Sequence, residues 1–130
     1  MIRITKITDY GFQLLVYMAR QGEECVQSAK GLSEAIDLPL PTVSKVLKLL
    51  SQGGLLSSIR GSRGGYVLTR SPERITASEI VESFEGPVAI TDCSGSEGCS
   101  RDCPVGRNWR NVNRRIASVL SDLTLADLAK

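Results

Sequence analysis

The sequence predicts a mainly α fold with a small β-wing: a winged helix-turn-helix followed by a long C-terminal dimerisation helix. Three observations carry this reading. Two short helical segments meet at Asp37-Leu38-Pro39, and two strand-like runs around a glycine-rich tip follow them directly. From Leu38 to Arg70 there is no acidic residue, while Lys45, Lys48, Arg60, Arg63 and Arg70 are basic. Beyond Pro104, apolar residues recur at steps of three and four, the period of a helix face.

The elements follow in order. After a short strand-like start, Tyr10 to Arg20 is dense in apolar residues and stops before Gln21-Gly22, which predicts a first buried helix. Ser28 caps a second helix running through Leu32, Ala35 and Ile36. A third spans Pro41 to Gln52, with Pro41 suited to a first turn and Gly53-Gly54 ending it. Val43, Val46, Leu47 and Leu50 form its core face, leaving Thr42, Ser44, Lys45 and Lys48 on the other side. Leu55 to Arg60 and Tyr66 to Thr69 are strand-like and joined by Gly61-Ser62-Arg63-Gly64-Gly65, a hairpin read as the wing. Thr76-Ala77-Ser78-Glu79 is a capping box that opens a short helix, with Ile80, Val81 and Phe84 towards the core and Gly86-Pro87 as its end. Val105, Trp109, Val112, Ile116, Val119 and Leu123 then form one apolar stripe opposite Arg107, Arg110, Arg114 and Arg115. So apolar a face packs either on its own domain or on a second copy of the chain; a terminal helix after a complete small core more often meets its twin, which predicts a homodimer. The organisation expected is a DNA-binding region over 1–88, a cysteine loop over 89–104, and a dimerisation helix and tail over 105–130, within one compact domain.

Composition narrows the function. At 130 residues with 42% hydrophobic and 23% charged content, the chain suits one domain with a real core. No stretch approaches the ~20 apolar residues of a membrane helix, so a cytoplasmic protein with reduced cysteines is expected, and no membrane partner. With no histidine, no phosphate-binding loop and no paired-acid pocket, neither an enzyme nor a small-molecule substrate is expected.

Net charge is only +2, but the basic block is set apart from Ser71 to Gly98, where acids dominate. Double-stranded DNA is therefore expected on the first half. Thr42, Ser44 and Lys45, at the start of the third helix, are positioned for base edges or nearby phosphates, with Lys48 on the same side. Ser28 combines an N-cap with a phosphate-binding helix start, and Arg60 and Arg63 place cations on the wing for phosphates or the minor groove.

Cys93, Cys99 and Cys103 have the spacing C-x5-C-x3-C in a glycine- and serine-rich stretch. Three soft thiolates suit an iron–sulfur cluster or zinc better than a hard cation, and a metal-free thiol switch is the further alternative. A fourth ligand must come from an acid, from Cys25, from outside, or from a second subunit.

The chain resembles the winged-helix bacterial regulators that include the iron–sulfur cluster regulator, the nitric-oxide-sensitive repressor and the SUF-system assembly regulator. The resemblance covers essentially the whole chain, through IRITKITDYG, LPLPTVSKVLKLLSQGGLL, SSIRGSRGGYVL, ITASEIVESFEGPVAITDC and CPVGRNW. Leu38 to Lys45, Glu85 to Cys93, and Cys103-Pro104-Val105 with Trp109 and Asn113 are most similar to the SUF-system branch, whose members repress iron–sulfur assembly operons. The resemblance implies that Cys93, Cys99 and Cys103 hold a [2Fe-2S] or [4Fe-4S] cluster that alters the dimer's affinity for operator DNA. Gly106 stands where the iron–sulfur cluster regulator has a ligating histidine. Asp9 falls where the nitric-oxide-sensitive repressor supplies an aspartate from the partner subunit. It is thus a candidate fourth ligand, beside a plain helix N-cap role; Asp92, Glu97, Asp102 and Cys25 are lesser candidates.

Overall fold

The structure, a computed structural model, describes residues 3–22, 24–91 and 103–130. Its order is α1 (Lys6–Gln21), α2 (Ala29–Ile36), α3 (Leu40–Gln52), β1 (Leu56–Ile59), β2 (Gly65–Leu68), a 3-10 turn (Pro72–Arg74), α4 (Ala77–Glu85), α5 (Gly106–Asp122) and α6 (Leu125–Ala129). The mainly helical fold with a two-stranded antiparallel wing is as the sequence predicts. Among the described residues, no helix is long and apolar enough to cross a membrane.

The opening is not strand-like. Residues 3–5 lead straight into α1, and the Thr5 N–H donates to Glu85 Oε1 at 3.2 Å, which ties the start of the chain to α4. Thr5 holds the N-cap position, so Asp9 does not cap α1. Asp9 lies within the first turn, where a carboxylate complements the helix dipole.

Leu14, Leu15 and Met18 of α1 pack with Leu32 of α2, with Val43, Val46, Leu47 and Leu50 of α3, and with Leu55, Leu56, Leu68, Ile75 and Ile80. The helical spacing of the α3 quartet puts all four in the core and leaves Ser44, Lys45 and Lys48 outside. α4 begins with the predicted capping box, both halves of which form, and Phe84 sits at the core margin.

The C-terminal segment is a helix followed by a tail that folds back. α5 starts after Val105 and stops at Asp122, so Val105 and Leu123 sit at its N- and C-cap positions and outside its regular turns. The chain then pairs with residues at the start of α4: Ala77 N donates to Leu123 O and Leu125 N to Ile75 O, each at 2.8 Å. A Thr124–Asp127 capping box opens α6, and Leu125 is fully buried in the core. The tail therefore completes the core instead of serving only a partner. Hydrogen bonding, first to the Thr124 backbone N–H, holds the Asp127 carboxyl below its ordinary value. The support this gives α6 is present above the ordinary carboxylate range and fades as pH falls through the lowered value.

Candidate nucleic-acid interface and cysteine site

α2 and α3 form the helix-turn-helix. Ser28 precedes α2 with an extended backbone, and its Oγ accepts from Gly31 N at 2.9 Å, the cap the sequence predicts. Asp37 ends α2 in the left-handed conformation, φ 55°, and lets the chain turn sharply into Pro39 and α3. Ser28 and Lys30 are both exposed at the start of α2, so a cation reinforces the positive end of the helix. Lys30 escaped the sequence reading, although a lysine two positions beyond a cap is itself a signal for anion binding.

On α3, Ser44, Lys45 and Lys48 are exposed and Thr42 is half-buried. A groove of about 470 Å³ runs between this helix and the wing, lined by Ser44, Lys48, Ser51, Gln52, Ser58 and Tyr66. α3 and the hairpin thus share one surface. Arg60 and Arg63 are exposed at the hairpin tip, on the loop between β1 and β2.

The wing is anchored near its tip by a contact that the sequence did not reveal. Tyr66 N donates to Gln27 O at 2.7 Å and Gln27 N to Tyr66 O at 2.9 Å, so the residue before Ser28 pairs with β2. This links the start of α2 to the wing. Gly65 makes the approach possible: a Cβ there would lie 2.4 Å from the Gln27 carbonyl oxygen, with further backbone atoms behind it. Gly65→Ala is expected to lower stability by about 1–3 kcal/mol and to weaken DNA binding with it, as read by thermal melting and a binding titration.

Arg70 does not belong to this surface. Its guanidinium meets both carboxylate oxygens of Glu79, at 2.8 and 3.2 Å, and the Arg74 carbonyl at 3.1 Å. The basic face is therefore Lys30, Lys45, Lys48, Arg60 and Arg63, all exposed. With the Arg70–Glu79 pair more than a third exposed, Arg70→Ala is expected to cost no more than about 1 kcal/mol, measured by denaturant unfolding.

Of the three clustered cysteines, Cys103 is described; Cys93, Cys99, Asp92, Glu97 and Asp102 lie outside the described residues. Cys103 is half-buried at the head of α5, its carbonyl accepting from Gly106 N at 3.2 Å. A Cβ added at Gly106 would come within 3.9 Å of Cys103 Sγ and 3.5 Å of Arg110 Nη1, so thiol and guanidinium flank the same turn. The helix start and Arg110 together favour anionic ligands at this point. Cys103 is a soft sulfur donor on a site with a positive border, a chemistry that suits a thiophilic group.

The other ligand candidates are dispersed. Asp9 is exposed on α1, where its Oδ2 accepts from Gln13 Nε2 at 2.8 Å. Cys25 is exposed, its Sγ 3.1 Å from Gln27 Nε2, beside the residue that pairs with Tyr66 of the wing. Among the described residues, no three His, Cys, Asp or Glu side chains gather in a metal-binding group within one protomer. The α5 stripe is open: Val119 is 68% exposed, Val105 50% and Trp109 43%, while Ile116 is half-buried.

Residues 4–130 match the Rrf2 family, described as an iron-dependent transcriptional regulator. The regulator IscR of Xenorhabdus nematophila is 30% identical over 131 residues, which covers 99% of this chain and 80% of that protein. Among solved structures, CymR, the global cysteine regulator of B. subtilis, superposes with a TM-score of 0.79 at 32% identity, covering 99% of this chain and 97% of that one. IscR of T. potens does so with a TM-score of 0.74 at 30% identity, covering 98% and 85%.

Proposed function

The chain belongs to the Rrf2 family of winged-helix, DNA-binding transcriptional regulators, and from that premise we propose a homodimeric cytoplasmic repressor of SUF-type iron–sulfur assembly genes whose operator affinity is set by its own iron–sulfur cluster. Its relatives are regulators and not enzymes, as expected from a chain without histidine. The observation that carries the cluster reading is Cys103 at the head of α5, within reach of a positive helix start and bordered by Arg110. Cys93, Cys99 and Cys103 are its thiolate ligands, and Asp9 of the partner subunit is the proposed fourth. When bound, the cluster supplies a centre that reacts with oxygen and nitric oxide.

The protein supplies the coupling through α4. This helix packs on α5 and on α3, and its Glu79 holds Arg70, two residues past β2. Its Ser83 lies so close to Gly53, the C-cap of α3, that a Cβ there would be 2.3 Å from Ser83 Oγ. A shift of α5 is therefore felt at the helix that reads DNA and at the wing. Two exposed α5 stripes packed together bury Trp109, Val112, Ile116 and Val119, with Val105 and Leu123 at the margins.

Anaerobic purification with iron, sulfide and visible-absorption analysis tests the reading. The wild type is expected to be coloured and to contain both elements, and Cys103→Ala to lose them. A colourless, zinc-containing protein would replace the cluster with a structural zinc site. A second reading, a metal-free thiol switch, draws on the likeness to the cysteine regulator CymR; it predicts no metal and a disulfide between two of the three cysteines after mild oxidation.

A further inference from the structure

Residues 88–91 run from the end of α4 towards the cysteine segment, while Asn113 lies about two turns into α5, the helix that begins just beyond Cys103. The Asn113 side chain reaches back to that run. Its Nδ2 donates to Val88 O at 2.8 Å and its Oδ1 accepts from Ile90 N at 3.1 Å. One amide thus satisfies an acceptor and a donor two residues apart, as a neighbouring strand would. Both bonds are partly buried, where an orphaned backbone group is costlier than at the surface. A cavity of about 460 Å³ lies alongside, lined in part by Val88, Ile90, Trp109, Ile116 and Leu120. Apolar packing around the run is accordingly incomplete, which gives direct hydrogen bonds more weight in fixing it.

The two flanks of the cysteine segment therefore meet one helix. Ile90, three residues before Cys93, is held on α5 by Asn113, and Cys103 is held at the first turn of α5 through Gly106. We propose that Asn113 is a positioning residue for the cysteine ligands: by fixing Val88 and Ile90 on α5 it sets where the chain delivers Cys93 relative to Cys103, and so how firmly a cluster is retained. This rests on the cluster reading above. Asn113 acts through the backbone and ligates nothing.

The test is the rate at which anaerobically purified holo-protein loses iron to a chelator, followed by visible absorbance. Asn113→Leu removes both hydrogen bonds at similar volume and is expected to lose iron about tenfold faster than wild type. Asn113→Asp keeps the acceptor for Ile90 N and removes the donor to Val88 O, so its rate should fall between the two. Asn111→Ala, at an exposed position of the same helix, should match wild type. The apo forms of all three should stay folded and bind DNA like wild-type apo-protein, with Asn113→Leu melting only modestly lower for its two lost hydrogen bonds, which a general loss of fold would not allow. Wild-type rates in Asn113→Leu overturn the proposal; if that variant does not fold, wild-type rates in Asn113→Asp do so. A wild-type protein that takes up no iron or sulfide would instead refute the cluster reading itself, before any variant is compared.

Discussion

Replacing Lys45 and Arg63 together by alanine is expected to weaken specific DNA binding about a hundredfold and to lower the salt dependence of binding by about two ion equivalents. Lys45 is exposed near the start of α3 and Arg63 at the wing tip, so the pair samples the two elements that flank the groove at Ser44, Ser58 and Tyr66. Neither side chain is in the core, and the melting temperature should stay near that of wild type. Arg70→Ala gives the contrast, because Arg70 is engaged by Glu79. Its salt dependence should match wild type, as measured by fluorescence anisotropy over a salt series. A double variant with an unchanged salt slope would remove α3 and the wing from the DNA surface.

Leu125→Ala should produce the largest stability loss on the C-terminal segment, about 2–5 kcal/mol. Leu125 is fully buried among Ile75, Ile80 and the α1–α3 core, and its backbone N–H is bonded to Ile75 O. The expected fall in melting temperature is about 10 °C or more, with a matching drop in the denaturant midpoint. If the tail served only a partner, the same change would weaken dimerisation and leave monomer stability almost untouched.

The helix-turn-helix and wing were legible because their signals are local. Ser28 announces a cap, Val43, Val46, Leu47 and Leu50 repeat at the helical period, and the glycine-rich tip separates two strand-like runs. The misreadings involve contacts between distant positions. That the tail after Leu123 turns inward is not written in the local pattern, because it depends on the pairing of Thr124 with Thr76, which sends Leu125 into the core. Arg70 counts as a free cation until α4 brings Glu79 beside it. Asn113 has no local signature, since its partners, Val88 and Ile90, are 25 and 23 positions away. Asp9 is not the cap of α1 because the helix starts at Lys6, before the dense apolar run from Tyr10 that marks it in the sequence.

A binding titration on one DNA fragment, selected by the protein itself from genomic DNA, should be run anaerobically at fixed salt with the cluster-loaded protein and with the same preparation after cluster removal. Coupling from Cys103 through α5 and α4 to α3 and the wing predicts dissociation constants that differ by about tenfold or more. Equal affinities for the loaded and stripped forms would contradict a cluster-controlled regulator, whatever iron the protein carries.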